Sequence, residues 1–148
     1  MNKTTGRKLC LVVAGVLSLS MGGFHLFLPR VFDWSRGMRS APDSLEWALF
    51  SLNVFWSVLI LLTGVLAIVL ARRDWSEHAP GRAVLGALAC YWLVHALYLL
   101  VFPFPLPANL QWLGTAFVGF ALLQALLHGW PALVRTETHV LVPASARN

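Results

Sequence analysis

Four long apolar runs dominate this sequence and leave few folds open to it. They cover residues 9–28, 45–70, 83–102 and 110–127. Apart from Glu46 at the start of the second run, none of them contains an aspartate, glutamate, lysine or arginine. Each run reaches the range of about 17–25 residues that a helix needs to cross a bilayer. Because backbone groups in lipid must be satisfied within the protein, such runs are helical. The sequence therefore predicts an all-α integral membrane four-helix bundle, folded as one membrane domain over residues 1–148.

The composition supports a membrane class over a soluble one. Apolar residues make up 58% of the chain and charged residues 11%, against about 45–50% and about 25% in soluble domains. The eleven lysines and arginines are scattered in short segments between the apolar runs. Nucleic-acid binding requires a clustered basic face, so we expect no nucleic-acid partner. The lipid bilayer is the expected surrounding.

Basic residues also predict how the chain is oriented. One predicted side of the membrane carries eight of them: Lys3, Arg7, Lys8, Arg72, Arg73, Arg82, Arg135 and Arg147. The other side carries Arg30, Arg36 and Arg39. Basic residues near span ends favour the cytoplasm, which predicts a multi-pass protein of the cell membrane with both termini cytoplasmic. A rival interpretation takes Lys3–Ser20 as a cleaved signal peptide, but the apolar run continues beyond Ser20.

Two cysteines occur, and neither belongs to a recognisable motif. Cys10 and Cys90 are eighty residues apart, with no C-x-x-C and no zinc-type spacing of Cys and His. We expect both to be buried free thiols that pack as small apolar residues. No metal site is predicted.

Small and polar residues follow regular spacings inside two of the runs. In the first run Gly15, Ser18, Gly22 and His25 recur at intervals of three and four, which places them on one helix face. Small residues on such a face let another helix approach closely. A similar pair, Thr115 and Gly119, occurs in the fourth run. These residues are expected to serve packing within the chain or an oligomer interface.

Several polar and aromatic residues fall in the predicted outer half of the membrane. Polar groups within a span are functional candidates because burying them in lipid is costly. If their faces converge, they form a largely apolar pocket with a few polar groups, the usual form of a small-molecule site. The candidate ligand-binding residues are His25, Asn53, Trp56, Tyr91, His95 and Tyr98. The alternative is structural: the histidines and Asn53 bond across helices, and Tyr98 belongs to an interfacial aromatic belt.

The end of the first run carries a short pattern, G-x-H-x-x-x-P, followed by a connection containing tryptophan and arginine. Its residues here are Gly23, His25, Pro29 and Trp34. Together with the four-span layout, this pattern resembles the DoxX-like small membrane proteins. The resemblance implies a four-helix membrane fold; some members are associated with membrane redox complexes and quinone. This chain departs from the pattern in having no charged residue deep within its spans, so no catalytic residue is carried over.

Three functions remain open on the sequence. The first is a non-catalytic membrane protein that binds a lipid-like ligand, or acts as an accessory or scaffold subunit beside other membrane proteins or copies of itself. The second is a redox subunit that holds haem b or quinone between His25 and His95, since histidine is a common axial ligand of haem. The third is a small-solute transporter, which the lack of charged residues in the spans disfavours.

Overall fold

The computed structural model describes residues 3–73, 78–103, 106 and 108–134, and within them it is all-helical. The five α-helices are α1 (Lys3–Val31), α2 (Trp34–Gly37), α3 (Asp43–Arg72), α4 (Ala79–Val101) and α5 (Gln111–Leu133). A 3-10 turn, Ala108–Leu110, leads into α5. The all-α prediction is confirmed.

Four of these helices are long and apolar enough to cross a membrane. The two shortest, α4 and α5, have 23 residues each, which corresponds to about 35 Å of helix. Large apolar side chains cover the outside of the bundle; Phe55, Val94 and Leu126 are each about two-thirds exposed or more. Such an exterior is unlike that of a soluble monomer, where large apolar patches are rare. Cys90 is exposed on this surface, so the prediction that it is buried was wrong.

The helix boundaries differ from the predicted spans by a few residues. Residue 102 lies just beyond α4, and residue 110 belongs to the 3-10 turn. At the start of α3, Asp43 and Glu46 suggest a capping box, but Pro42 occupies the N-cap position and no side chain caps the helix. The two acidic residues instead lie in the first helical turn, where their negative charges stabilise the helix by interacting with the positive end of its dipole.

The end of α5 lies further along the chain than its glycine and proline suggest. The sequence Gly129-Trp130-Pro131 reads as a helix end, yet α5 continues to Leu133. A proline removes one backbone donor from a helix. Pro131 therefore leaves the Leu127 carbonyl without its helical donor, and only two further residues follow it in α5.

The long helices are arranged as two antiparallel hairpins. Helix α1 packs mainly on α3, and α4 packs mainly on α5. Between the hairpins, α1 and α5 form the larger contact, whereas the backbones of α3 and α4 approach each other at few points and meet through side chains such as Trp56. The bundle is therefore closed along α1 and α5 and open along α3 and α4. We call the end that carries residues 29–46 the α1–α3 end, and the opposite end the N-terminal end.

Glycines bring α1 and α3 into very close contact. A Cβ atom on Gly15 would lie 2.8 Å from the carbonyl oxygen of Gly64, and a Cβ on Gly64 would lie 2.9 Å from that of Gly15. A Cβ on Gly22 would lie within 3 Å of the Leu61 side chain. Since these separations are too short for any side chain, the packing depends on glycine at these positions. The predicted small-residue face of the first span lies in this interface.

Candidate ligand-binding site

A cavity of about 530 Å³ lies between the hairpins toward the α1–α3 end. This volume falls within the range of about 300–1,000 Å³ that is typical of small-molecule sites. All five helices contribute to its wall. The lining residues are Met21, His25, Leu28, Phe32, Trp34, Leu49, Leu52, Asn53, Trp56, Ile60, Trp92, His95, Tyr98, Leu99, Phe117 and Phe120.

The cavity opens sideways, between α3 and α4. Two of its lining residues, Leu52 on α3 and Tyr98 on α4, are 64% and 59% exposed. At the opposite wall, Ile60 and Trp92 are 2% and 1% exposed. The exposed lining residues thus lie on α3 and α4, whose backbones approach each other at few points, and a ligand would enter from the side of the bundle.

His25 is held at the cavity by the local chemistry of α1. Pro29 lies four residues further along the helix and has no N–H, so the backbone carbonyl of His25 lacks its usual helical donor. The side-chain amide of Asn53 donates to that carbonyl from α3, with Nδ2 and O separated by 2.9 Å. Among the described residues, the buried Nδ1 of the His25 ring has no hydrogen-bond partner. The Asn53 contact thus fixes the backbone while the imidazole remains available.

His95 lies against two tryptophans. Its ring centroid is 5.4 Å from that of Trp56 and 5.9 Å from that of Trp92. Trp92 also meets Phe120 edge to face at 5.5 Å. Aromatic pairs at these separations attract one another and restrict each other's orientation. The imidazole is consequently a polar group set in an ordered aromatic wall.

Electrostatically, the lining is uncharged. It contains seven aromatic side chains, namely Phe32, Trp34, Trp56, Trp92, Tyr98, Phe117 and Phe120. Its titratable members are His25, His95 and Tyr98, and it holds no aspartate, glutamate, lysine or arginine. A charged group inside the cavity would lose its hydration without gaining a partner of opposite charge. The arrangement suits an apolar molecule with at most a few hydrogen-bonding atoms.

Five of the six predicted ligand-binding residues line this cavity, and Tyr91 does not. Tyr91 is one turn before His95 on α4, toward the N-terminal end. Its ring packs on Trp56 at 5.9 Å and on Trp92 at 5.2 Å. It supports two lining residues from behind and does not itself line the cavity.

The two predicted groups of small residues, one on α1 and one on α5, lie in different surroundings. Gly15, Ser18 and Gly22 are buried among helices. Thr115 and Gly119 are exposed on α5, and a Cβ on Gly119 would meet no atom within 4 Å. Thr115 borders a second depression, of about 570 Å³, between α4 and α5. Gly119 therefore makes no close helix contact within the described chain, and the oligomer interface stays a prediction.

A buried polar contact between α1 and α5 has no counterpart in the sequence-based predictions. The Gln124 side-chain amide donates to the Ala14 carbonyl at 3.2 Å and to the Ser18 hydroxyl oxygen at 3.1 Å. One turn further, His128 Nδ1 lies 2.7 Å from the Gln124 carbonyl oxygen. Gln124 and His128 are both fully buried. Their spacing of four residues on one helix face was the available signal.

Metal-binding groups are not assembled anywhere in the described residues. No cluster of three or more His, Cys, Asp or Glu side chains occurs in this part of the chain. His25 and His95 do share one cavity, so two imidazoles from separate helices face the same space. Three of the four residues of the G-x-H-x-x-x-P pattern and its connection gather here: His25 and Trp34 line the cavity and Pro29 is buried.

Comparison with known proteins leaves the site to be interpreted from its own geometry. No family model, curated protein or solved structure matches this chain.

Proposed function

We propose that this chain is a multi-pass protein of the cell membrane that binds a lipid-like ligand in the cavity between its hairpins. It acts without catalysis of its own, as a ligand-binding or accessory subunit. The observation that carries the proposal is the cavity itself: about 530 Å³, lined by apolar and aromatic side chains and open between α3 and α4. An apolar ligand dissolved in a bilayer reaches such an opening without passing through water.

The membrane setting is part of the same proposal. It is supported by four helices of sufficient length and apolarity and by the apolar exterior of the bundle. The excess of basic residues at the N-terminal end supports cytoplasmic termini. The DoxX-like assignment likewise stands as a proposal, supported by the convergence of His25, Pro29 and Trp34 near the cavity.

Tryptophan fluorescence tests whether a ligand enters the cavity. In detergent-purified variants that keep a single tryptophan and carry phenylalanine at the other tryptophan positions, so that the cavity wall stays aromatic, Trp92 reports from that wall, where it is 1% exposed. Trp130, at the other end of the bundle and 43% exposed, is the control. We expect a phospholipid with brominated acyl chains to quench Trp92. The quenching should saturate while the micelles still outnumber the lipid molecules. Quenching of Trp130 alone would refute ligand entry.

One observation favours a second candidate function. Because His25 and His95 line the same cavity, a redox subunit holding haem or quinone remains a specific alternative. Oxidised and dithionite-reduced absorbance spectra of the purified protein separate the two. A Soret band lost in both His25→Ala and His95→Ala would establish haem ligation and overturn the lead proposal. A featureless spectrum, with quinone absent from a solvent extract, would remove this alternative.

A further inference from the structure

Residues 30–39, from the last turn of α1 to just beyond α2, present two chemically different sides. Phe32 and Trp34 turn inward and line the cavity, and Trp34 packs edge to face on Phe50 at 5.9 Å. Arg30, Arg36 and Arg39 are exposed. The same ten residues therefore supply part of the apolar wall and three cationic groups beside it.

A backbone turn produces this division. Asp33 has φ 46° and ψ 52°, in the left-handed region, which aspartate tolerates better than most residues. Its carbonyl oxygen accepts from the backbone N–H groups of Arg36 and Gly37, at 3.0 and 3.1 Å. The turn ends α1 and starts the single turn of α2. It returns Trp34 to the bundle and leaves Arg36 outside.

The three guanidinium groups have no partner among the residues that the structure describes. None of them forms an ion pair in the part of the chain that the structure describes. Acidic residues are present at this end, namely Asp33, Asp43 and Glu46, and Asp43 and Glu46 lie in the first turn of α3. Since three positive and three negative side chains balance, net charge would not attract an anion here. Direct contact with guanidinium groups, which bind phosphate in a bidentate manner, is the available interaction.

We infer that the ligand is an anionic phospholipid, with its acyl chains in the cavity and its headgroup on Arg30, Arg36 and Arg39. This inference rests on the proposed function, since it names the ligand class of the same cavity. The uncharged lining accounts for the apolar part, and the three unpaired arginines on the adjoining segment account for the headgroup. In this arrangement the charge lies at the membrane surface, where each basic residue contributes to binding anionic lipid.

The test compares two brominated lipids, phosphatidylglycerol and phosphatidylcholine, by quenching of Trp92 in detergent. We expect the anionic lipid to bind roughly tenfold or more tightly, because charge-assisted hydrogen bonds from the guanidinium groups favour a phosphate whose headgroup carries no ammonium, whereas the choline ammonium of phosphatidylcholine is repelled by them. The variant R30Q/R36Q/R39Q should lose this preference while phosphatidylcholine quenches as before. The matched control K3Q/R72Q/R73Q, changed at three exposed basic residues of the N-terminal end, should keep the preference.

Salt provides a test that needs no substitution. Exposed charge pairs are screened as ionic strength rises, so the preference of the unaltered protein for phosphatidylglycerol should fall between low and high salt. Equal quenching by both lipids at every salt concentration would overturn the headgroup inference and leave the proposed function standing. If neither lipid quenches Trp92, the proposed function fails as well. A preference that survives in the folded arginine variant and is insensitive to salt would also refute the inference.

Discussion

Asn53 supplies to α1 the hydrogen bond that Pro29 withholds. The bond from Asn53 Nδ2 to the His25 carbonyl is 2.9 Å long and joins two helices. It satisfies a backbone group that would otherwise be buried without a donor, a state that destabilises a fold by about 1–3 kcal/mol. The donor lost to the proline is thereby replaced by a specific hydrogen bond between α1 and α3.

Replacing Asn53 should therefore be harmful only while Pro29 is present. We expect Asn53→Leu to lower the free energy of unfolding by about 1–3 kcal/mol, because the His25 carbonyl loses its donor. Adding Pro29→Ala restores a backbone N–H and should recover most of that loss. Equilibrium unfolding in mixed detergent micelles measures both variants. Equal losses in the single and double variants would show that the bond does not compensate for the proline.

Close packing of α1 on α3 predicts a sharp difference between two glycines. Gly15→Ala places a methyl group 2.8 Å from a backbone oxygen, so the helices must separate, at about 1–3 kcal/mol of stability. Gly119→Ala meets no atom within 4 Å and should leave the monomer unchanged or stabilise it by up to about 1 kcal/mol through helix propensity.

Thermal unfolding of both alanine variants, followed by circular dichroism, checks this difference. A destabilised Gly119→Ala variant whose loss depends on protein concentration would indicate that Thr115 and Gly119 pack against a second copy. A Gly15→Ala variant as stable as the unaltered protein would contradict the close contact.

The contact of Gln124 with Ser18 should contribute modestly to the closed side of the bundle. Interhelical hydrogen bonds in membrane proteins are worth about 0.6 kcal/mol on average and up to about 1.7 kcal/mol. We expect Gln124→Leu to lower stability by an amount in that range. Gln111→Leu, at an exposed position near the start of α5, is the control and should have no effect. An unchanged Gln124→Leu protein would show that the buried amide is dispensable.

The proposed topology places the two ends of the bundle on opposite sides of the membrane. In a background without Cys10 and Cys90, we expect Ser40→Cys to react with a membrane-impermeant maleimide on intact cells. His78→Cys should react only after the membrane is permeabilised. Both positions are exposed, so access through solvent is equal apart from the membrane. The reverse pattern would invert the proposed orientation.

The long apolar runs predict much of this fold, because a chain segment in lipid must satisfy its own backbone hydrogen bonds and few structures other than a helix do so. The inward placement of His25 follows from its spacing to Gly22, since a face that packs on another helix cannot also face lipid. Spacing of this kind was less informative for Tyr91 on α4, which does not line the cavity. Helical spacing identifies one face of a helix and contains no information on where along that face a neighbouring helix ends.

Other features depend on how the two hairpins pack against each other and could not be predicted from the residue pattern of any single helix. Trp92 is the most buried large side chain of the cavity wall, yet the sequence did not single it out among the many aromatic residues of the spans. Gln124 and Ser18 are separated by 106 positions, and only the antiparallel approach of α1 and α5 brings them together. The open seam between α3 and α4 is likewise a property of the assembly.

That open seam determines what an affinity would mean for this protein. In the proposed setting the opening faces hydrocarbon, so the ligand competes for the cavity with every other lipid in the leaflet. Occupancy then follows the mole fraction of ligand among lipids, and a dissociation constant expressed per volume of water would change with the amount of membrane present. The cavity would thus report the composition of the bilayer around it, with no dependence on how much of the ligand is dissolved in the cytoplasm.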